Sequence, residues 1–98
     1  MDAALEFEWD DAKAESNLAK HGVPFAYATQ LFLDAQRVDL DVTRPADGEV
    51  RRKAIGVIEG RLFAVVYTVR EGRCRLISAR RCNANEEKRY GPLHTGPE

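Results

Sequence analysis

Two glutamate-glycine pairs constrain the fold of this chain more than any other feature. VRRKAIGVI, Glu59-Gly60, RLFAVVYTVR, Glu71-Gly72 and RCRLISARR follow one another with no spare residue between them. A two-residue X-Gly link between β-branched runs closes a tight hairpin, because the turn needs a positive φ that glycine adopts without strain. An antiparallel meander is therefore expected from about residue 50 to residue 81.

The upstream half reads as one strand, two helices and a further strand. LEFEW (5–9) alternates apolar and acidic residues, as a half-buried strand does. Asp10 can cap a helix through DDAKAESNLAKH, which Gly22 stops. Gly22 and Pro24 make a corner before PFAYATQLFLD, where Phe25, Ala28, Leu31 and Phe32 recur at helical spacing. QRVDLDV (36–42) returns to period two, TRPADGE is a loop by composition, and a short helix is expected over 83–90. The order is strand, helix, helix, four strands, short helix. That is an α+β fold with a mostly antiparallel twisted sheet and the two main helices on one face. Ninety-eight residues support one core, so 1–90 form a single domain and 91–98 a loose tail.

Net charge is −1, but residues 1–49 carry 4 Lys/Arg against 11 Asp/Glu, and residues 50–98 carry 11 against 5. A basic second half points to a local anionic partner; the plainer reading is that the halves neutralise each other in space. Cys74 and Cys82, eight strand positions apart, are beyond disulfide reach, and His21 and His94 stand apart from both, so no metal site and no cofactor are expected. No apolar run is long enough to span a membrane, and the acidic N-terminus lacks a signal pattern, so a cytoplasmic protein is expected.

Counting back from the turns sets the register. Tyr67 falls opposite Leu76, Phe63 opposite Arg80, and Arg52 opposite Tyr67. Arg52, Phe63, Tyr67, Ser78 and Arg80 would then share one face, with Lys53 and Arg81 on the other. A one-residue slip would exchange the two arginines. On the first helix Lys13, Asn17, Lys20 and His21 form a polar stripe, and His21 ends the helix where a cation is favoured. A solvated helix face is the plainer account of that stripe. Arg52, Tyr67, Arg80, Arg81, Lys53 and the Tyr90 of the closing helix make a second set, suited to phosphate and bases.

FEWDDAKAESNLAKHGVPF, RRKAIGVIEGRLFAVVYTVR and LISARRCNANEEKRY together resemble the BrnT family of type II toxins. The likeness runs in order over about residues 7–90, through the W-D-x-x-K-x-x-x-N-x-x-K-H-G-V-x-F run, the A-x-G and V-V-Y-T strands and the I-S-A-R-R end. The family often has more basic residues after that end, where this chain has CNANEEK. The resemblance implies a RelE-like fold, ribonuclease activity that arrests translation, and a BrnA-like ribbon-helix-helix antitoxin whose complex with the toxin binds the operator DNA.

Metal-free RNA cleavage needs a base for the 2′-proton, cations for the phosphorane and an acid for the 5′-oxygen. The candidates are Arg80 and Arg52 for charge, and His21, Lys20 and Tyr67 for protons. Arg81, Lys53, Lys13, Asn17 and Tyr90 are candidates for binding the RNA. A non-catalytic module that docks nucleic acid or protein on the same basic face is the alternative.

Overall fold

A computed structural model describes residues 5–92. Within these residues five strands form one mixed sheet: β1 (Phe7–Glu8), β2 (Val38–Asp41), β3 (Arg52–Ile58), β4 (Arg61–Arg70) and β5 (Arg73–Arg81), in the order β1-β5-β4-β3-β2. Only β1 runs parallel to its neighbour. Among the described residues three α-helices accompany the sheet: α1 (Asp11–His21), α2 (Phe25–Ala28) and α3 (Ala84–Tyr90). The expected α+β element order is observed. His94 and most of the expected tail lie outside the described residues.

Both hairpins close as their sequence demands. Glu59 and Gly60 have φ of 52° and 80°, Glu71 and Gly72 51° and 78°, the left-handed pair of a twist-matched hairpin. Asp10 accepts the Lys13 backbone N–H at 3.0 Å, and Gly22, at φ 72°, sends its N–H to the Leu18 carbonyl. These two caps fix the length of α1.

The second helical run is shorter than its periodicity suggests. After one α turn it tightens into a 3-10 segment, Thr29–Leu33. Thr29 donates its hydroxyl to the Ala26 carbonyl, which offers the backbone an alternative to a continued α-ladder. The segment lies close against β3. A methyl group added at Gly56 would sit 2.9 Å from Leu31 Cγ, so the glycine permits this approach. The strand expected over 5–9 pairs only through Phe7 and Glu8, after which Trp9 turns to meet Phe25 edge-on.

The helices on one face bury Val23, Phe25, Ala28, Leu31 and Phe32 against Ala54, Phe63, Val65, Tyr67, Leu76 and Ala79 of the sheet. Phe32 packs edge-on against Tyr67, and Tyr27 against Phe63. Helix α3 lies on the opposite face, anchored by Asn83, whose side chain accepts the Glu86 N–H while the Glu86 carboxylate accepts the Asn83 N–H. Tyr90 closes this helix down by donating to Asp34 at 2.6 Å.

Candidate nucleic-acid interface

One extra residue decides which side chains meet. The β4–β5 ladder runs Arg70↔Arg73 to Tyr67↔Leu76 as the turn dictates, then skips Ile77 and resumes at Val66↔Ser78. Ile77 is a β-bulge, two residues facing one, and it re-aims everything beyond it. Phe63 therefore faces Arg81, and Ala64 faces Arg80. The expected pairing of Phe63 with Arg80 is corrected. Arg52, Phe63, Tyr67 and Arg81 share the helix-covered face, while Lys53, Ser78 and Arg80 belong to the face beneath α3.

Arg81 lies over the Phe63 ring, 5.5 Å from its centre, in a groove of about 380 Å³. His21, Gly22, Val23 and Pro24 form one wall; Tyr27, Arg61 and Phe63 complete the lining. The groove continues in two directions. On one side His21 is shared with a concavity of about 230 Å³ lined by Lys13, Ser16, Lys20, Ile77 and Ser78. On the other, Arg61 and Arg81 are shared with one of about 330 Å³ beside Gly60 and Glu87.

Charge pairing separates these cations from most of the others. Arg52 is bound by Asp39, Arg70 by Glu49, Arg73 by Glu6 and Arg75 by Glu8. Much of the acidic first half thus meets the basic second half in space. Among the described residues seven Lys/Arg have no carboxylate partner: Lys13, Lys20, Arg61 and Arg81 line the connected grooves, and Arg37, Lys88 and Arg89 do not. A phosphate would not have to displace a protein carboxylate there.

Arg80 sits in a different setting. Its guanidinium makes two hydrogen bonds to Glu86, at 2.8 and 2.7 Å, and Lys53 donates to the same carboxylate at 2.7 Å. Burial alone would raise the Glu86 pKa. Hydrogen bonds from Arg80, Lys53 and the Asn83 backbone outweigh it and hold the carboxyl at about 2. Arg80 also donates to the Arg81 carbonyl, which steadies the end of β5.

Arg52 and Tyr67 converge on Asp39, Tyr67 donating its hydroxyl at 2.6 Å. Burial, then the Asp39 bond, pushes the Tyr67 pKa up to about 12, so its proton is firmly held near neutral pH. Asn17 is buried, and its amide is used within the fold. It donates to the Val23 and Ala79 carbonyls and accepts from the Ala79 N–H, all within 3.0 Å. It acts as a short strand on the open edge of β5 rather than as a ligand-facing side chain. Leu18, on the same helix, is about half exposed.

Of the ten residues singled out in the sequence, the structure brings His21, Lys20, Lys13 and Arg81 to the connected grooves. Asn17 touches the same region from beneath. Arg52 with Tyr67, Arg80 with Lys53, and Tyr90 with Asp34 form three separate clusters. Arg61 and Tyr27 were missed. Arg61 is signalled by its place right after the Glu59-Gly60 turn, two residues from Phe63 and so on the same face. Tyr27 donates to Glu59 at 2.6 Å, and that bond, above all, raises its pKa. Burial pushes the thiols of Cys74 and Cys82 to about 12 and 11, so both are unreactive in ordinary buffers. Among the described residues, no three His, Cys, Asp or Glu side chains gather as metal ligands. None of the helices there is long and apolar enough to cross a membrane.

A small α+β domain that gathers four unpaired cations and a histidine around an aromatic-floored groove belongs to the class of domains that engage phosphate-bearing polymers. A family model described as "Ribonuclease toxin, BrnT, of type II toxin-antitoxin system" matches residues 9–86, and the chain belongs to that family. Membership makes it a ribonuclease toxin by family, with RNA as target and an antitoxin as partner. A comparison with curated proteins found no match.

Proposed function

We propose that this chain cleaves RNA without a metal ion, in the groove between His21 and Arg81. The observation that carries the reading is the unpaired Arg81 guanidinium, held over Phe63 and facing the groove that His21 also lines. A groove walled by cations suits a phosphodiester and repels a divalent cation.

The 2′-oxygen attacks the adjacent phosphorus, and the bond from phosphorus to the 5′-oxygen breaks, leaving a 2′,3′-cyclic phosphate and a 5′-hydroxyl. Arg81 and Arg61 stabilise the charge that builds on the phosphorane. His21 and Lys20 are the groups available to take the 2′-proton and return one to the leaving oxygen. Arg80 acts from behind by holding the end of β5 through Glu86, and Arg52 and Tyr67 hold β2 to the sheet. This division revises the roles that strand counting assigned to Arg80, Arg52 and Tyr67.

The finer family traits belong to the same reading: a RelE-like domain spanning 1–90, cytoplasmic action that arrests translation, and a BrnA-like ribbon-helix-helix antitoxin that carries the pair to operator DNA. The test is incubation of the purified chain with RNA in EDTA, followed by analysis of the ends. Cyclic or 3′-phosphate ends are expected. Activity lost in chelator and restored by magnesium would overturn the mechanism, and salt-sensitive binding with intact RNA would make the chain a docking module.

A further inference from the structure

The grooves on either side of the proposed cleavage point are continuous with it. The flank on α1 carries Lys13 and Lys20 of its own and shares His21 with the centre, while Arg61 and Arg81 reach from the centre into the opposite flank. Lys13 and Lys20 are seven residues apart on α1, about 10 Å along the helix axis. Two lysines set that far apart, with Arg61 in the central groove, suit separate phosphates.

The floor differs along the path. At its centre Phe63 and Tyr27 stand edge to face with Arg81 above the Phe63 ring, whereas the α1 flank offers the hydroxyl-bearing Ser78. Aromatic and guanidinium surfaces within a cationic groove suit bases that are free of a duplex, because stacking needs an exposed base face. A double helix presents phosphates but keeps those faces inside.

We infer that the substrate is single-stranded RNA, bound along a track of at least three consecutive phosphates. Lys13 and Lys20 hold two phosphates on the α1 flank, Arg61 and Arg81 hold the one at the centre, and a base there meets Tyr27 and the Arg81 guanidinium, which the Phe63 ring backs. This rests on the proposed function and adds its substrate class and footprint. Lys13 is a binding residue remote from the broken bond, whereas Lys20 stands next to His21 and serves both the flank and the proton transfer.

The experiment uses 2′-O-methyl oligonucleotides, which cannot be cleaved, in lengths from two to eight, with fluorescence anisotropy at several salt concentrations. Affinity should climb until about four nucleotides, the length with three internal phosphates, and then level off. Each phosphate neutralised on a single strand contributes about 0.7 to the slope of log K against log salt. Lys13→Ala with Lys20→Ala should lower that slope by about 1.4 and shorten the length at which affinity levels. Arg73→Ala, on the far end of β5 and paired with Glu6, should leave both unchanged. Both lysines are exposed and unpaired among the described residues, so the double variant should melt at the parent temperature.

An unchanged slope in the double variant, or equal affinity for a duplex of the same sequence, overturns the track. So does a double variant that keeps its RNA slope but loses affinity for the antitoxin, since α1 would then be the partner's surface. RNA left intact alongside length-dependent binding would remove the proposed cleavage and leave the track standing. Cleavage by the parent chain alongside an unchanged salt slope in the double variant would do the reverse.

Discussion

Arg81 lies directly across the sheet from Phe63, its guanidinium 5.5 Å from the ring centre, because Ile77 bulges out of the β4–β5 ladder. Arg80, one residue earlier, points to the opposite face and is bound by a buried carboxylate. Neighbours in sequence have thereby become residues with different work: one faces a groove, the other fastens a helix.

Single alanine variants separate them. Arg81→Ala should lower RNA cleavage roughly a hundred- to a thousandfold, as loss of a donor to transition-state charge typically does, with little change in melting temperature. Arg80→Ala leaves the buried Glu86 short of two hydrogen bonds and should cost on the order of 2 kcal/mol, or roughly 10 °C in Tm. Cleavage rates and thermal melts of both variants check this. Equal behaviour would mean that the bulge does not govern the site.

Asn17→Ala removes three hydrogen bonds between α1, the following turn and the edge of β5. The Ala79 N–H and the two carbonyls would be left without protein partners, at about 1–3 kcal/mol for each that stays dry. Urea denaturation should show a large loss, and Asn17→Asp should be no better, because a carboxylate cannot donate to either carbonyl.

Glu86 makes stability depend on acid. Its folded pKa of about 2 lies below its ordinary value of 4.5, so its contribution is complete above pH 4.5 and disappears as pH falls from there toward 2. The amount lost is on the order of 3 kcal/mol. Glu86→Gln should remove this component, so the difference in unfolding free energy between parent and variant should shrink over that interval. A difference independent of pH would show that the Glu86 carboxylate is not the ionised hub described here.

Gly56→Ala should destabilise by about 1–3 kcal/mol through overpacking against Leu31. Leu31→Ala opens the space that the new methyl group needs. The double variant should therefore be more stable than the sum of the single effects predicts, and a double-mutant cycle in urea measures the coupling.

The sequence by itself determined the element order, the two hairpin turns and the caps of α1 and α3. These are local matters: a left-handed turn, a capping side chain or an alternating run is specified by residues a few positions apart. Even the capping pair of Asn83 with Glu86 is written three residues apart. Tertiary structure decided the rest. A bulge is set by how β5 packs between β4 and the helices, so counting from the Glu71-Gly72 turn was right up to Leu76 and one residue off from Ser78 onward. Asn17 looked like one member of a polar stripe because nothing near it in sequence reveals that Ala79, 62 residues away, needs a partner. Which arginines remain free could not be read from a chain of nearly balanced charge. Pairing depends on where Asp39, Glu49 and Glu86 arrive in space, and Arg61 and Arg81 stay free in the groove because no carboxylate among the described residues comes within ion-pair distance of them.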